Sequence, residues 1–200
     1  RHERLFADLA RKALQQLGDF KPQELSNMLW GFAASGYFHE EFFSSAARAA
    51  QFLELQAQQL ANVLWALSRV RPRHHATHAA MLALLPRCTW MVENFKPQEL
   101  ASVLLAAAKC FGRRAGGEAL PAQVTAAFAG ALPHVLRHLR SFSGQSLANV
   151  ASSYLAVQLG DDTDLLPQIA QETMSRASKL ESSALLLLLR SLPSARDSVC

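Results

Sequence analysis

The chain lacks most of what disulfide-stapled, β-rich or membrane proteins are built from. Three cysteines occur in 200 residues, Cys88, Cys110 and Cys200, widely spaced and odd in number. That excludes a disulfide framework and the paired spacing of structural zinc sites, and it points to a reducing compartment. Half of the residues are hydrophobic, yet they are alanine and leucine far more than valine and isoleucine. Apolar runs such as Ala184 to Leu189 fall well short of the roughly 20 residues that span a bilayer. No glycine-rich phosphate cradle, G-x-S-x-G elbow or pair of carboxylates in a catalytic context is present, so no enzymatic activity is expected. Cys88 and Cys110 stand in apolar surroundings and read as core thiols, not nucleophiles.

What the chain has is repetition. Phe20-Lys-Pro-Gln-Glu-Leu-Ser-Asn-Met-Leu-Trp30 returns as Phe95-Lys-Pro-Gln-Glu-Leu-Ala-Ser-Val-Leu-Leu105. Leu55 to Trp65 and Phe142 to Ser152 fit the same frame, and Leu180 to Arg190 is a degenerate fifth copy. The marker leucines Leu25, Leu60, Leu100, Leu147 and Leu185 are 35, 40, 47 and 38 residues apart. Each step is the size of a helical hairpin, which cannot bury its own apolar faces without neighbours. The expected fold is therefore all-α, a right-handed alpha-alpha superhelix of about five hairpins. It forms one array over 1–200, with units near 1–36, 37–71, 72–111, 112–159 and 160–200.

Each copy reads as the second helix of its hairpin. Proline at the first helical position loses no needed hydrogen bond, and Glu24 or Glu99 in the first turn favours the helix dipole. The phenylalanine just before acts as a staple. Gly36 stands where a helix ends, and Arg69 and Lys109 carry positive charge near carboxyl ends. On a 100° wheel Leu25, Met28, Leu29 and Phe32 form one stripe, repeated by Leu60, Val63, Leu64 and Leu67. Trp30 and Trp65 fall about 140° from the marker leucine, which predicts a second apolar face and leaves a narrow polar strip. Partner helices are expected near 3–17, 39–53, 74–92, 121–139 and 165–178, with a loop insertion at 112–118.

Charge is uneven. Residues 72–159 carry eight basic against three acidic side chains and five of the seven histidines, whereas the flanking segments are close to balanced or acidic. Within the frame, Gln23, Gln58, Gln98 and Gln145 recur at one position, and Asn27, Asn62, Ser102 and Asn149 recur four residues later. One turn apart, each pair shares a face. Such amides either hydrogen-bond base edges or cross-link adjacent hairpins and satisfy free groups at helix starts.

Two smaller clusters have plainer readings. His74, His75 and His78 include a pair at the i, i+4 spacing of a metal site, but no H-E-x-x-H glutamate accompanies them, and they read as surface or backbone-contacting histidines near a helix start. No metal or cofactor is expected. Asp161, Asp162 and Asp164 lack the glycine and terminal glutamate of a calcium loop and read as caps for a helix starting near Leu165.

The frame Phe-x-Pro-Gln-Glu-Leu-Ala-Asn-x-Leu-Trp-Ala, carried by Phe20 to Ala33, Leu55 to Ala66 and Phe95 to Ala106, resembles the octotricopeptide repeats of organellar RNA-binding proteins. The resemblance implies a mitochondrial or chloroplast protein that binds organellar mRNA or rRNA in maturation, translation or a ribonucleoprotein, without catalysis. RNA contacts would then come from Lys21, Gln23, Asn27, Gln58, Asn62, Arg69, Lys96, Gln98, Ser102, Lys109, Arg113, Arg114, Gln145 and Asn149. The lysines and arginines would meet phosphates and the amides would meet bases. The rival reading is a protein-binding α-solenoid scaffold in a larger complex, because the same groove binds peptides and a net charge of +4 is modest for a nucleic-acid protein.

Overall fold

A computed structural model describes residues 3–70, 75–112, 119–159 and 164–176. Among them are nine α-helices and three short 3-10 turns, and no strand. The helices are α1 (Glu3–Gln15), α2 (Pro22–Ala34), α3 (Glu40–Ala50), α4 (Ala57–Val70), α5 (His75–Trp90), α6 (Pro97–Phe111), α7 (Ala122–Arg137), α8 (Gly144–Ala156) and α9 (Leu165–Ser175). The even-numbered helices carry the repeated frame, and the odd-numbered ones are the expected partners.

Most helices pack chiefly on the next but one, whereas α9 leans more on its neighbour α8 than on α7. Contacts run α2 to α4 to α6 to α8 in one row and α1 to α3 to α5 to α7 to α9 in the other. Leu25, Leu60, Leu100 and Leu147, the marker leucines of these units, are all fully buried. Their stripe therefore drives the stacking that no single hairpin could sustain. The fifth copy, 180–190, lies outside the described residues.

Local chemistry explains the helix boundaries. Pro22 and Pro97 open α2 and α6, and the backbone N–H of Lys21 and Lys96 donates to Glu24 Oε2 at 2.8 Å and Glu99 Oε2 at 3.0 Å. The second copy substitutes Gln59, whose Oε1 accepts from the Gln56 N–H at 3.0 Å. In the fourth, Ser143 Oγ accepts from the Ser146 N–H at 3.1 Å. Three kinds of side chain, glutamate twice, glutamine and serine, thus satisfy a free amide at four equivalent helix starts. Phe95 and Phe142 are buried behind these starts and Phe20 is half-buried. In those three units a 3-10 turn (Leu17–Asp19, Val92–Asn94, Leu139–Ser141) delivers the phenylalanine, a turn type that the frame does not announce.

Gly36 ends α2 as expected, with φ of 73°. Its N–H reaches Ala33 O, and the Tyr37 N–H reaches Phe32 O at 3.1 Å, while the Phe32 and Tyr37 rings pack 6.0 Å apart. This is a Schellman ending with its apolar contact. The helix α8 ends in the same way around Gln158, the only described non-glycine residue with positive φ, at 57°. Asp164 precedes α9 but makes no side-chain capping bond, contrary to the expected role, because its backbone is not in the extended conformation a cap requires. Asp161 and Asp162 lie outside the described residues, as do Arg113, Arg114, His74 and most of the expected insertion.

Candidate functional site

Burial on two sides leaves each even-numbered helix one open strip. In α4, the residues after Ala57 that escape full burial are Gln58, Asn62, Trp65, Arg69 and the terminal Val70. Four of these are spaced i, i+4, i+7 and i+11, which is a single face. Gln23, Asn27 and Trp30 of α2, Gln98, Ser102, Leu105 and Lys109 of α6, and Gln145, Asn149 and Ser152 of α8 occupy the same positions. Packing therefore aligns four strips side by side.

One expectation is corrected here. Trp30 and Trp65 do not form a second buried face; they belong to the open strip. Trp30 is 47% exposed, and the two indoles stack with centroids 6.0 Å apart and planes 29° from parallel. The faces beside the strip are filled instead by small residues such as Ala61, Ala66 and Ala101, which let the helices approach closely and leave no room for an indole. The signal was present: each tryptophan follows its ladder glutamine by seven residues, hence lies on the same side.

Between the strips of α2, α4, α6 and α8 lies an open groove of about 710 Å³, lined by Trp30, Trp65, Gln58, Asn62, Gln98 and Ser102, with Lys96 and Glu99 at one end. Ser141, Ser143 and Ser146 of the fourth hairpin complete it, residues that no motif in the sequence singles out. Beyond Trp65, the Arg69 guanidinium sits 5.9 Å from its ring centroid, within cation–π range. Lys109 lies close to Arg69. Partial burial, first, and the Arg69 charge, second, lower its pKa from the ordinary lysine value, against a smaller opposite effect of Cys110. Neither cation has a carboxylate partner among the described residues, so the end of the strip is a pair of repelling positive charges.

The amide ladder divides into two kinds. In the end units it closes on itself: Gln23 Nε2 donates to Asn27 Oδ1 at 2.9 Å, and Gln145 Nε2 to Asn149 Oδ1 at 3.1 Å. Gln23 Oε1 also accepts from the Gln59 amide of the next hairpin at 3.1 Å. In the middle units Gln58, Asn62 and Gln98 make no side-chain hydrogen bond among the described residues, and Ser102 Oγ donates only to the Gln98 carbonyl at 2.9 Å. The unengaged amides are the ones that line the groove. Lys21 is exposed at the start of α2, away from the groove lining.

Both described cysteines are buried, and desolvation pushes each thiol up to about 12, outweighing a backbone hydrogen bond at Cys88 and the Lys109 charge at Cys110. They are inert core residues. Among the described residues no helix is long and apolar enough to cross a membrane. No protein-family model and no curated protein matches the chain.

Proposed function

We propose that this chain is a non-catalytic RNA-binding array of the octotricopeptide-repeat kind, which seats a single strand along the groove of its even-numbered helices. In this reading the two helix rows wind as a right-handed superhelix and the protein works in an organelle on mRNA or rRNA. The observation that carries it is the composition of one strip: a stacked Trp30–Trp65 platform beside the free amides Gln58, Asn62 and Gln98, with cations at both ends. Single-stranded nucleic acid is bound through these means, with bases on aromatic faces, amides on base edges and arginine or lysine on phosphates. The strip is not continuously positive. Lys96 stands beside Glu99 at one end and Arg69 with Lys109 at the other, so the centre supplies stacking and hydrogen bonds and the Arg69 end supplies most of the positive charge.

The test is RNA affinity measured against salt concentration, using RNA recovered by crosslinking from the native complex. Trp30→Ala and Trp65→Ala each remove a stacking surface worth about 1–3 kcal/mol per base, and a drop of about tenfold in affinity is expected. Arg69→Ala with Lys109→Ala weakens binding and lowers the salt slope by about one for each phosphate that is no longer neutralised. Unchanged affinity in both sets overturns the reading.

A protein-binding scaffold is favoured by a different observation. Phe52 and Trp90 are 85% and 83% exposed at the ends of consecutive odd-numbered helices, which is the kind of apolar surface that protein partners cover. If crosslinking recovers no enriched RNA and Phe52→Ser with Trp90→Ser releases a bound subunit, the scaffold reading replaces the RNA reading.

A further inference from the structure

A second cluster stands apart from the groove and from everything proposed above. His134 and His138 are four residues apart on and just past the end of α7, and Glu93 belongs to the 3-10 turn joining α5 to α6. One ligand-competent atom from each lies within 4.8 Å of the others. None of the three lines the groove. His74 and His78 carry the same i, i+4 signal in the sequence, but at 134 and 138 the fold brings in the third group that a pair alone lacks.

The chemistry of the donors is specific. His134 is only 6% exposed, and its Nδ1 has no hydrogen-bond partner. Glu93 Oε2 lies 3.2 Å away, the distance of an ion pair when the imidazole is protonated. A neutral imidazole would turn a lone pair toward that carboxylate, and only a proton or a metal ion between them removes the repulsion. Arg137 Nη1 donates to Glu93 Oε1 at 3.1 Å, which orients the carboxylate and leaves Oε2 facing His134. His138 caps the carboxyl end of α7, where the helix dipole favours a cation. Two imidazoles and a carboxylate, with no thiolate, suit a borderline ion of the zinc class better than calcium or magnesium.

We propose that Glu93, His134 and His138 form a three-ligand site for a divalent transition metal ion of the zinc class, which fastens α7 of the fourth hairpin to the α5–α6 turn of the third. Metal–ligand distances of about 2.0–2.2 Å require the three atoms to draw closer than the 4.8 Å limit. The movement falls to exposed Glu93 and half-buried His138, since His134 is held in the core. A fourth position is left to water. The exposed Arg137 guanidinium opposes the ion only weakly, because solvent screens it.

The experiment is zinc titration of the full chain after chelator treatment, followed by calorimetry and thermal unfolding. One zinc per chain and a rise in Tm are expected, as for any ligand that binds the folded state alone. Glu93→Gln and His138→Ala each weaken binding by roughly tenfold or more and abolish the rise, whereas His75→Ala and the groove variant Lys96→Ala leave both unchanged. Cobalt(II) absorption provides a second reading: a four-coordinate visible spectrum in the wild type that Glu93→Gln removes while circular dichroism stays helical. Absence of stoichiometric binding by the wild type, or equal binding by the ligand variants, overturns the proposal. The outcome is independent of whether the groove binds RNA.

Discussion

The Gln59 side-chain amide donates to Gln23 Oε1 across the boundary between the first two hairpins, at 3.1 Å. Gln59 is only 7% exposed, and its own Oε1 is occupied by the Gln56 N–H. Gln23 in turn holds Asn27. One ladder glutamine therefore serves the interface between hairpins, while its equivalents Gln58 and Gln98 face the groove.

Removal of that acceptor separates the two roles. Gln23→Ala leaves the buried Gln59 amide unpaired, and a loss of about 1–3 kcal/mol is expected, measured by urea unfolding. Gln98→Ala, which breaks no bond within the protein, is expected to stay within about 0.5 kcal/mol of wild type. Equal effects of the two would refute the division of the ladder.

The two Schellman endings make opposite predictions. Gly36→Ala forces a side chain into the left-handed region at φ of 73°, and since open space surrounds the site the cost is backbone strain alone, about 1 kcal/mol. Gln158→Gly relieves the same strain at φ of 57° and should stabilise by a few tenths to about 1 kcal/mol. Thermal melts of both variants check the signs.

Arg87 of α5 donates to the carbonyls of Leu53, at 2.7 Å, and Gln51 in the turn of the preceding hairpin. Arg176 repeats the arrangement two hairpins later, reaching Phe142 O at 2.8 Å. Arg87→Met keeps the stem but abandons both carbonyls, and a loss of about 2 kcal/mol is expected. Hydrogen exchange should locate the loosening at residues 51–55. Faster exchange spread evenly over the chain would count against a local clamp.

Lys109 supplies a pH signature. Burial and the Arg69 charge lower its pKa in the fold below the ordinary lysine value, so the charged form is penalised at neutral pH. Its unfolded form binds more protons between the folded and ordinary values, and stability gains through that window as pH rises. In lysine-labelled NMR titrations Lys109 should titrate below the ordinary lysine value. Arg69→Gln should move it part of the way back, leaving the burial effect. A Lys109 titration that Arg69→Gln leaves unmoved would show that the two cations do not interact.

The repeat frame made most of the fold legible. Pro22 and Pro97 at helix starts, Gly36 at an end and the marker leucines at one wheel position are local chemistry, and local chemistry is written in consecutive residues. The partner helices fall where the spacing places them, to within a few residues. The site was legible only in part. Gln58, Asn62, Lys96, Gln98, Ser102, Arg69 and Lys109 stand out by their recurrence, and they do share an open face. The i+7 tryptophans resemble core residues in the sequence because apolar character alone does not say which face a neighbour will cover.

Consecutive residues alone specify the helices of the described residues and which side chains repeat on one helix face, since helix periodicity and capping act within a dozen residues. Tertiary structure decided the rest. Whether Gln23 locks a hairpin while Gln58 stays free, whether Trp30 is buried or stacked in the open, and whether His134 and His138 meet Glu93 all depend on partners 35 to 45 residues away. Only packing of one hairpin on the next brings such partners within reach.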